Sequence, residues 1–441
     1  MLGAAESRGC GKWVVCVSSC AEKVSAPQQE EGALSLSAIP STILSAILST
    51  IPSSILAAIL SAVMSAATLL LSPALRLALL NNEPAEDCLH VVCCVSNPCG
   101  YRRRYELARD FCARMGREPS SSTAAATSSS VLLYVVELAY EGQDFHVTSA
   151  SEKRHLQLRS GGGPLWHKEN LINVAVRHLL PSSWKAFAWI DADVEFLSPH
   201  WASDALKLLN GMCDVVQLFS HALDLDAFGS TMQVFSSFGF RACEHGLEEK
   251  LREHRCHQGA GSGAAAATTT TTLGTATKKM TASASASATC NFPHPGFAWA
   301  MTRRSYERLG GLYEYSVLGS GDSCMALAFV GRAAEALNAA VHQGYLGSLL
   351  EYEQRARGLR LGYVPGVLRH FFHGLKKNRR YGDRWRVLVA HGYNPSAHVA
   401  PREDGLLVPS AACPAKLLKE IAAYFAQRNE DEGYREAMAA R

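Results

Sequence analysis

The sequence predicts an α/β fold, a single domain with a mixed, mostly parallel central sheet and flanking helices. Three observations predict it. Short apolar runs at Leu89–Val95, Val131–Val136, Trp184–Ile190 and Asp214–Phe219 have the length and content of buried strands. Helix-spaced segments alternate with them, the pattern of a parallel-rich sheet covered by helices. Polar or acidic residues close three of the runs, at Asn97, Glu137 and Asp191. Ligands on such sheets gather at the carboxyl ends of the strands.

The folded part begins near Asp87. The strand Leu89–Val95 ends at Ser96, Asn97 and Pro98, and Tyr101–Met115 then carries Tyr105, Leu107, Ala108, Phe111 and Cys112 at helical spacing. Residues 116–130, rich in Ser, Thr and Ala, read as a flexible insertion. Val131–Val136 is a second strand, and Leu156–Leu158 a short third. After the glycine loop Gly161–Gly163, a helix over Trp166–Leu180 feeds the strand Trp184–Ile190. Asp214–Phe219 and Met232–Phe235 are further strands. Residues 248–290 have no apolar periodicity and read as a disordered insertion, with order resuming at Phe292–Ala300. The organisation is therefore an extension over 1–86, an interrupted domain over 87–400 and a helical tail over 401–441.

Hydrophobic residues at 48% and charged residues at 19% allow a substantial core in this 441-residue chain. A net charge of +3 gives no reason to invoke nucleic acid. The 14 cysteines are scattered without zinc-like spacing and read as buried free thiols of a reducing compartment.

The N-terminal region carries a separate question. No charged residue occurs from Gly32 to Leu75, and Ile39–Thr50 is nearly repeated by Ile51–Ala62. Ile55–Leu71, free of Pro and charge, is just long enough to span a bilayer. Arg8, Lys12 and Lys23 precede it, which would leave the N-terminus cytosolic and the domain lumenal, in the Golgi or endoplasmic reticulum. The competing readings are an inert low-complexity extension, which would leave the protein cytoplasmic, and a cleaved targeting peptide. A lumenal domain would sit uneasily with free thiols.

Asp191 and Asp193 fall where their strand leaves the sheet, on the same side and about 7 Å apart. Carboxylates so close repel each other unless a cation sits nearby. Their hard oxygens suit Mg²⁺ or Mn²⁺, especially where a substrate phosphate completes the coordination shell. Such a D-x-D pair holds the diphosphate of a nucleotide sugar through a metal in many enzymes, though a lone D-x-D also occurs by chance.

Other motifs join it in order. They are Ser96–Pro98 with Arg104–Leu107, Leu165–Asn170, Trp189–Phe196, His294–Ala300, Gly310–Leu312, Leu318–Asp322, Tyr363–Gly366, His370–Gly374 and Arg379–Trp385. Together these blocks resemble a family of glycosyltransferases of large viruses, phages and bacteria. That family is related in pattern to the GT-A-type, Rossmann-like transferases and to inverting family-two-like enzymes. The resemblance covers about Cys88 to Pro395 without the insertions. It implies a metal-dependent transfer of sugar from a nucleotide-sugar donor to a glycan, protein or lipid acceptor.

It also implies roles. Asp193 is a metal ligand and Asp191 a ligand or ribose contact. A late histidine completes such sites. His373 is the choice because Gly374 permits close approach, and His370 is the runner-up, with a packed sheet histidine as its competing reading. An imidazole tilts the metal toward Mn²⁺ over Mg²⁺. Asn97 and Glu137 at strand ends, and Lys168 and Asn170 at a helix start, fall on the donor side; for the last two, exposed helix polarity is the alternative. The run Lys376–Arg380 is either a solvated charge run or a clamp on the departing diphosphate through Arg379 and Arg380. Asp322, after Leu318–Gly321, is the candidate base that takes the acceptor proton, with helix capping as its alternative. His294 and Trp299 fall on the acceptor side, with core packing the competing role for Trp299. Inverting and retaining outcomes both stay open. The rival functions are a metal-dependent nucleotidyltransferase or phosphohydrolase, and a degenerate protein that only binds glycans or nucleotide sugars.

Overall fold

The computed structural model of the protein describes residues 71–116, 130–245 and 293–434. The anchor reading of Ile55–Leu71 lies outside them but for its last residue, as do the insertion over 248–290 and all but the ends of that over 116–130. Among the described residues no helix is long and apolar enough to cross a membrane.

The first half of the domain runs α1 (Pro73–Asn81), β1 (Cys88–Ser96), α2 (Arg102–Met115), β2 (Ser130–Ala139), β3 (His155–Arg159), α3 (Lys168–Leu179), β4 (Ala186–Ile190) and β5 (Val194–Phe196). It continues with α4 (Trp201–Leu209), β6 (Val215–Gln217), β7 (His221–Leu225), β8 (Thr231–Ser236), α5 (Phe238–Glu244), β9 (Ala298–Thr302), α6 (Arg303–Leu309), α7 (Gly321–Phe329) and α8 (Gln343–Ala356). The last part holds β10 (Leu361–Tyr363), β11 (Val367–His370), α9 (Tyr381–Ala390), α10 (Pro395–His398), β12 (Val399–Pro401), β13 (Leu407–Pro409) and α11 (Ala415–Gln427).

Seven strands form the central sheet in the order β10-β6-β9-β4-β1-β2-β3. All are parallel except β9, which runs antiparallel to both β4 and β6. The mixed, mostly parallel α/β sheet expected from the sequence is thus the one formed, and it is compatible with a Rossmann-like fold. Both faces are covered, so the strands read as continuous apolar runs rather than alternating ones. Phe187 and Trp189 of β4 point into one core with Leu171 and Val174 of α3, while Ala188 and Ile190 point into a second with Ala205 and Leu206 of α4.

A second sheet, β5-β11-β7-β8, meets the carboxyl edge of the first. Only Asp191, Ala192 and Asp193 separate β4 from β5, so the D-x-D is the hinge between the two sheets. β7, which apolar periodicity did not announce, pairs in parallel with β11.

The ends of the chain belong to the same body. Leu75 of α1 is buried in the α4-side core. Ile421, Tyr424 and Phe425 of α11, within the segment read as a tail, are buried in the main core. Cys93, Cys213 and Cys324 are buried free thiols.

Candidate metal and substrate site

The site lies at the carboxyl ends of β1 and β4, in a cleft of about 1100 Å³. Strand register sets its metal side. Along β11, His370 is paired with Asp224 of β7 and with Val194 of β5, the residue after Asp193. The Phe371 N–H donates to the Asp193 carbonyl at 2.8 Å, which fixes that junction. Side chains from three strands therefore meet because their residues are neighbours in one sheet.

Asp193, His370 and His373 each offer a ligand atom, all within 4.8 Å of one another. His370 Nδ1 donates to Asp224 Oδ1 at 2.6 Å, and His373 Nδ1 lies 3.6 Å from Glu430 Oε2. Both rings are thus backed by a carboxylate, which directs the opposite nitrogen, Nε2, at Asp193 Oδ2, 3.7 Å from His370 and 3.1 Å from His373. Outer carboxylates that orient ligating imidazoles in this way are the usual supports of metal-binding histidines. The other oxygen, Asp193 Oδ1, is buried without a hydrogen bond among the described residues. These residues fit a divalent cation, and two imidazoles favour Mn²⁺ over Mg²⁺.

Electrostatics agree. Burial alone would raise Asp193, but the His370 and His373 imidazoles outweigh it and hold the carboxyl well below its usual range. Burial would lower His370, yet Asp193 and Asp224 raise it to about 9. At neutral pH, cation binding there must therefore displace a proton from His370. Arg379 Nη2 also donates to His373 Nε2 at 2.8 Å, so ligation there requires Arg379 to release that nitrogen.

Lys168, at the start of α3, bridges the other half of the site. Its Nζ lies 2.6 Å from Asp191 Oδ1 and 3.0 Å from Asp322 Oδ2. Asp191 is thus paired with an ammonium and lies outside the metal-ligand cluster. Burial raises its pKa to about 6, against the lowering by Lys168. Asp322 does not cap its helix, since its carboxylate meets Lys168 through both oxygens. His294 lines the cleft and stacks on Phe297 with ring centroids 3.8 Å apart; burial pushes it down to about 3 and keeps it neutral.

A cationic wall faces the metal side. Glu430, fully buried, accepts two bonds from Arg104, at 2.6 and 2.8 Å, and one from Arg428 at 2.7 Å. Arg428 lies over the Trp166 ring, which stacks on Phe425. Lys376 reaches Asp224 Oδ2 at 2.5 Å, tying this wall back to the metal side.

Several expected roles are corrected. The Glu137 carboxylate accepts the backbone N–H groups of His146, Val147 and Thr148 and the Thr148 hydroxyl, so it clamps a loop and does not face the cleft. Asn170 bonds Glu314, Gly405 and Leu407, fastening α3 to the β12–β13 hairpin. Trp299 is 2% exposed, stacks on Trp189 and donates to the Pro295 carbonyl; it is core. Asn97 does line the cleft, but its amide closes the turn onto Tyr101. Arg380 points away, to Asp383 and Gln427. Gly374 does permit a close approach, and the chain that approaches is the Asn429–Glu430 backbone, 2.7 Å from where its Cβ would sit.

Arg104 and Arg384 lie inside motif blocks that carry no stated role for them. Asp224, Arg428 and Glu430 lie outside every block, although Glu430 with its arginine neighbour Arg428 is an i, i+2 charge pair beyond the last helix. No family model matches the chain, and no curated protein matches it.

Proposed function

We propose that the protein is a metal-dependent glycosyltransferase of GT-A type that moves a sugar from a nucleotide-sugar donor to an acceptor hydroxyl. The observation that carries the reading is the Asp193, His370 and His373 cluster at the carboxyl end of β4, with its carboxylate-backed imidazoles. On this reading the three side chains hold Mn²⁺, which when bound neutralises the donor diphosphate. Arg379 and Lys376, on the same rim, stabilise the charge that grows on the diphosphate as the sugar leaves. Lys168 bridges Asp322 and Asp191 and holds the Asp322 carboxylate in place. Asp322 then accepts the acceptor hydroxyl proton while that oxygen attacks the anomeric carbon. Supporting features are the mostly parallel sheet, the D-x-D at its edge and the sequence motifs that line the cleft.

The test needs no acceptor, because a transferase releases sugar to water slowly. A panel of nucleotide sugars is incubated with Mn²⁺ and either wild type or Asp193→Ala. Turnover of one donor, abolished by EDTA and in the variant, supports the reading. Release of nucleoside monophosphate and sugar 1-phosphate without free sugar supports the phosphohydrolase instead, and silence with Mn²⁺-dependent donor binding retained supports a binding protein.

A further inference from the structure

One cation in the cleft has no role in the chemistry above. Arg384, in the first turn of α9, is 7% exposed and lines the cleft. Its Nε donates to the Tyr424 hydroxyl at 2.8 Å and its Nη1 to Ser320 Oγ at 2.9 Å. Both partners are hydroxyls. Among the described residues no carboxylate comes within ion-pair distance of it, whereas Arg104 and Arg428 share Glu430. A guanidinium taken out of water is costly unless an anion meets it.

The surroundings are shaped around it. The Tyr424 hydroxyl donates to the Arg379 carbonyl at 2.9 Å, and the guanidinium lies over the Tyr381 ring, which fixes its plane. Ser320 sits in the left-handed region at φ 78°, an uncommon place for serine. Gly319 before it, at φ 88°, would bring a Cβ to 3.2 Å from Arg384 Nη1. Two residues past Ser320 stands Asp322, so this guanidinium faces the acceptor end of the cleft rather than the metal end.

We propose that Arg384 and Ser320 form an anion subsite, and that, resting on the glycosyltransferase reading, the acceptor carries a phosphate or carboxylate that binds there. Guanidinium groups take such anions in paired hydrogen bonds, which fixes the hydroxyl relative to Asp322.

The probe is glycerol 3-phosphate, titrated calorimetrically in EDTA so that no metal-held diphosphate site contributes. Wild type is expected to bind one equivalent, Arg384→Lys to bind more weakly because a single ammonium lacks the paired donors, and Arg384→Gln to weaken it at least tenfold. Ser320→Asp places a carboxylate against the guanidinium and is expected to abolish binding. It also serves if Arg384→Gln proves unfolded by circular dichroism. No binding to wild type, undiminished binding in Arg384→Gln or Ser320→Asp, or loss only in Arg379→Gln overturns the proposal; the last would place the anion in the donor diphosphate position. Donor hydrolysis with Mn²⁺ is scored separately. Failure of phosphate binding with donor turnover intact sinks this inference alone, and the reverse sinks the transferase reading alone.

Discussion

The two walls of the cleft differ in how they are built. The metal wall comes from strands: Asp193, Asp224 and His370 are placed by the registers of β5, β7 and β11, and backbone hydrogen bonds fix them. The cationic wall comes from separate pieces, Arg104 on α2, Arg384 on α9 and Arg428 with Glu430 beyond α11. Arg104 and Arg428 are held by charge pairing onto one buried carboxylate, and Arg384 by two hydroxyls. The strand-built wall should therefore lose chemistry when altered and keep its fold. The assembled wall should lose fold first.

The largest expected effect tests the first half of that contrast. Asp193→Ala removes the carboxylate both imidazoles face, and should lower Mn²⁺-dependent donor turnover by roughly 10³-fold, from the several kcal/mol a bound cation supplies. Its fold should survive, although the lost pairing of Asp193 Oδ2 with His370 and His373 lowers its melting temperature. Turnover that survives this change would remove the metal wall from the chemistry.

The second half is tested by pairing two outer carboxylates. Glu430→Gln leaves Arg428 buried without its charge partner, and should destabilise the protein by about 3–5 kcal/mol in urea denaturation. Asp224→Asn strips His370 of its carboxylate but stays within a strand. It should cost about 10–100-fold in Mn²⁺ affinity with a smaller loss of stability. Equal stability losses in the two would show that the walls do not differ as described.

A pH effect separates the walls from the helix between them. Glu169, next to Lys168, is buried, and its Oε1 has no hydrogen bond among the described residues. Burial and then the nearby Asp322 push its pKa up from the usual carboxylate range to about 8. The native state therefore binds more protons than the unfolded state across that window, so stability falls as pH rises through it and levels off above. The fall should amount to a few kcal/mol. Glu169→Gln, neutral at every pH, should flatten this part of the denaturation profile. An unchanged slope would place the titration elsewhere.

How much of this was legible in the sequence follows the same division. The sheet, the D-x-D, Lys168, Asp322 and His373 could be read because each lies within or beside a local pattern of apolar run, turn or helix start. Asp224 could not, because its role comes from the pairing of β7 with β11, far apart in the chain. Arg104 and Glu430 meet only through folding, more than three hundred residues apart. Strand-end position by itself misled: Glu137 occupies the same kind of place as Asp191 but satisfies the N–H groups of a turning loop. Asn170 and Trp299 share that lesson, since a polar group at a helix start and an indole beside a site also serve to fasten a core.

Arg379 and Arg380 give the smallest and most selective comparison, because the sequence treats them alike. Arg379 ends a turn of 3₁₀ helix and points into the cleft, onto His373 Nε2. Arg380 adopts φ 37° and so turns its side chain to Asp383 at the surface, where a salt bridge is worth little. Arg379→Ala should raise the donor KM by about tenfold, on one lost charge-assisted contact worth about 1.5–3 kcal/mol, while leaving the fold intact. Arg380→Ala should change neither donor kinetics nor stability by more than about 0.5 kcal/mol. If Arg380→Ala matched Arg379→Ala in its effect on KM, the run would act as a diffuse basic patch. Direction toward the metal side would then not be what separates Arg379 from Arg380.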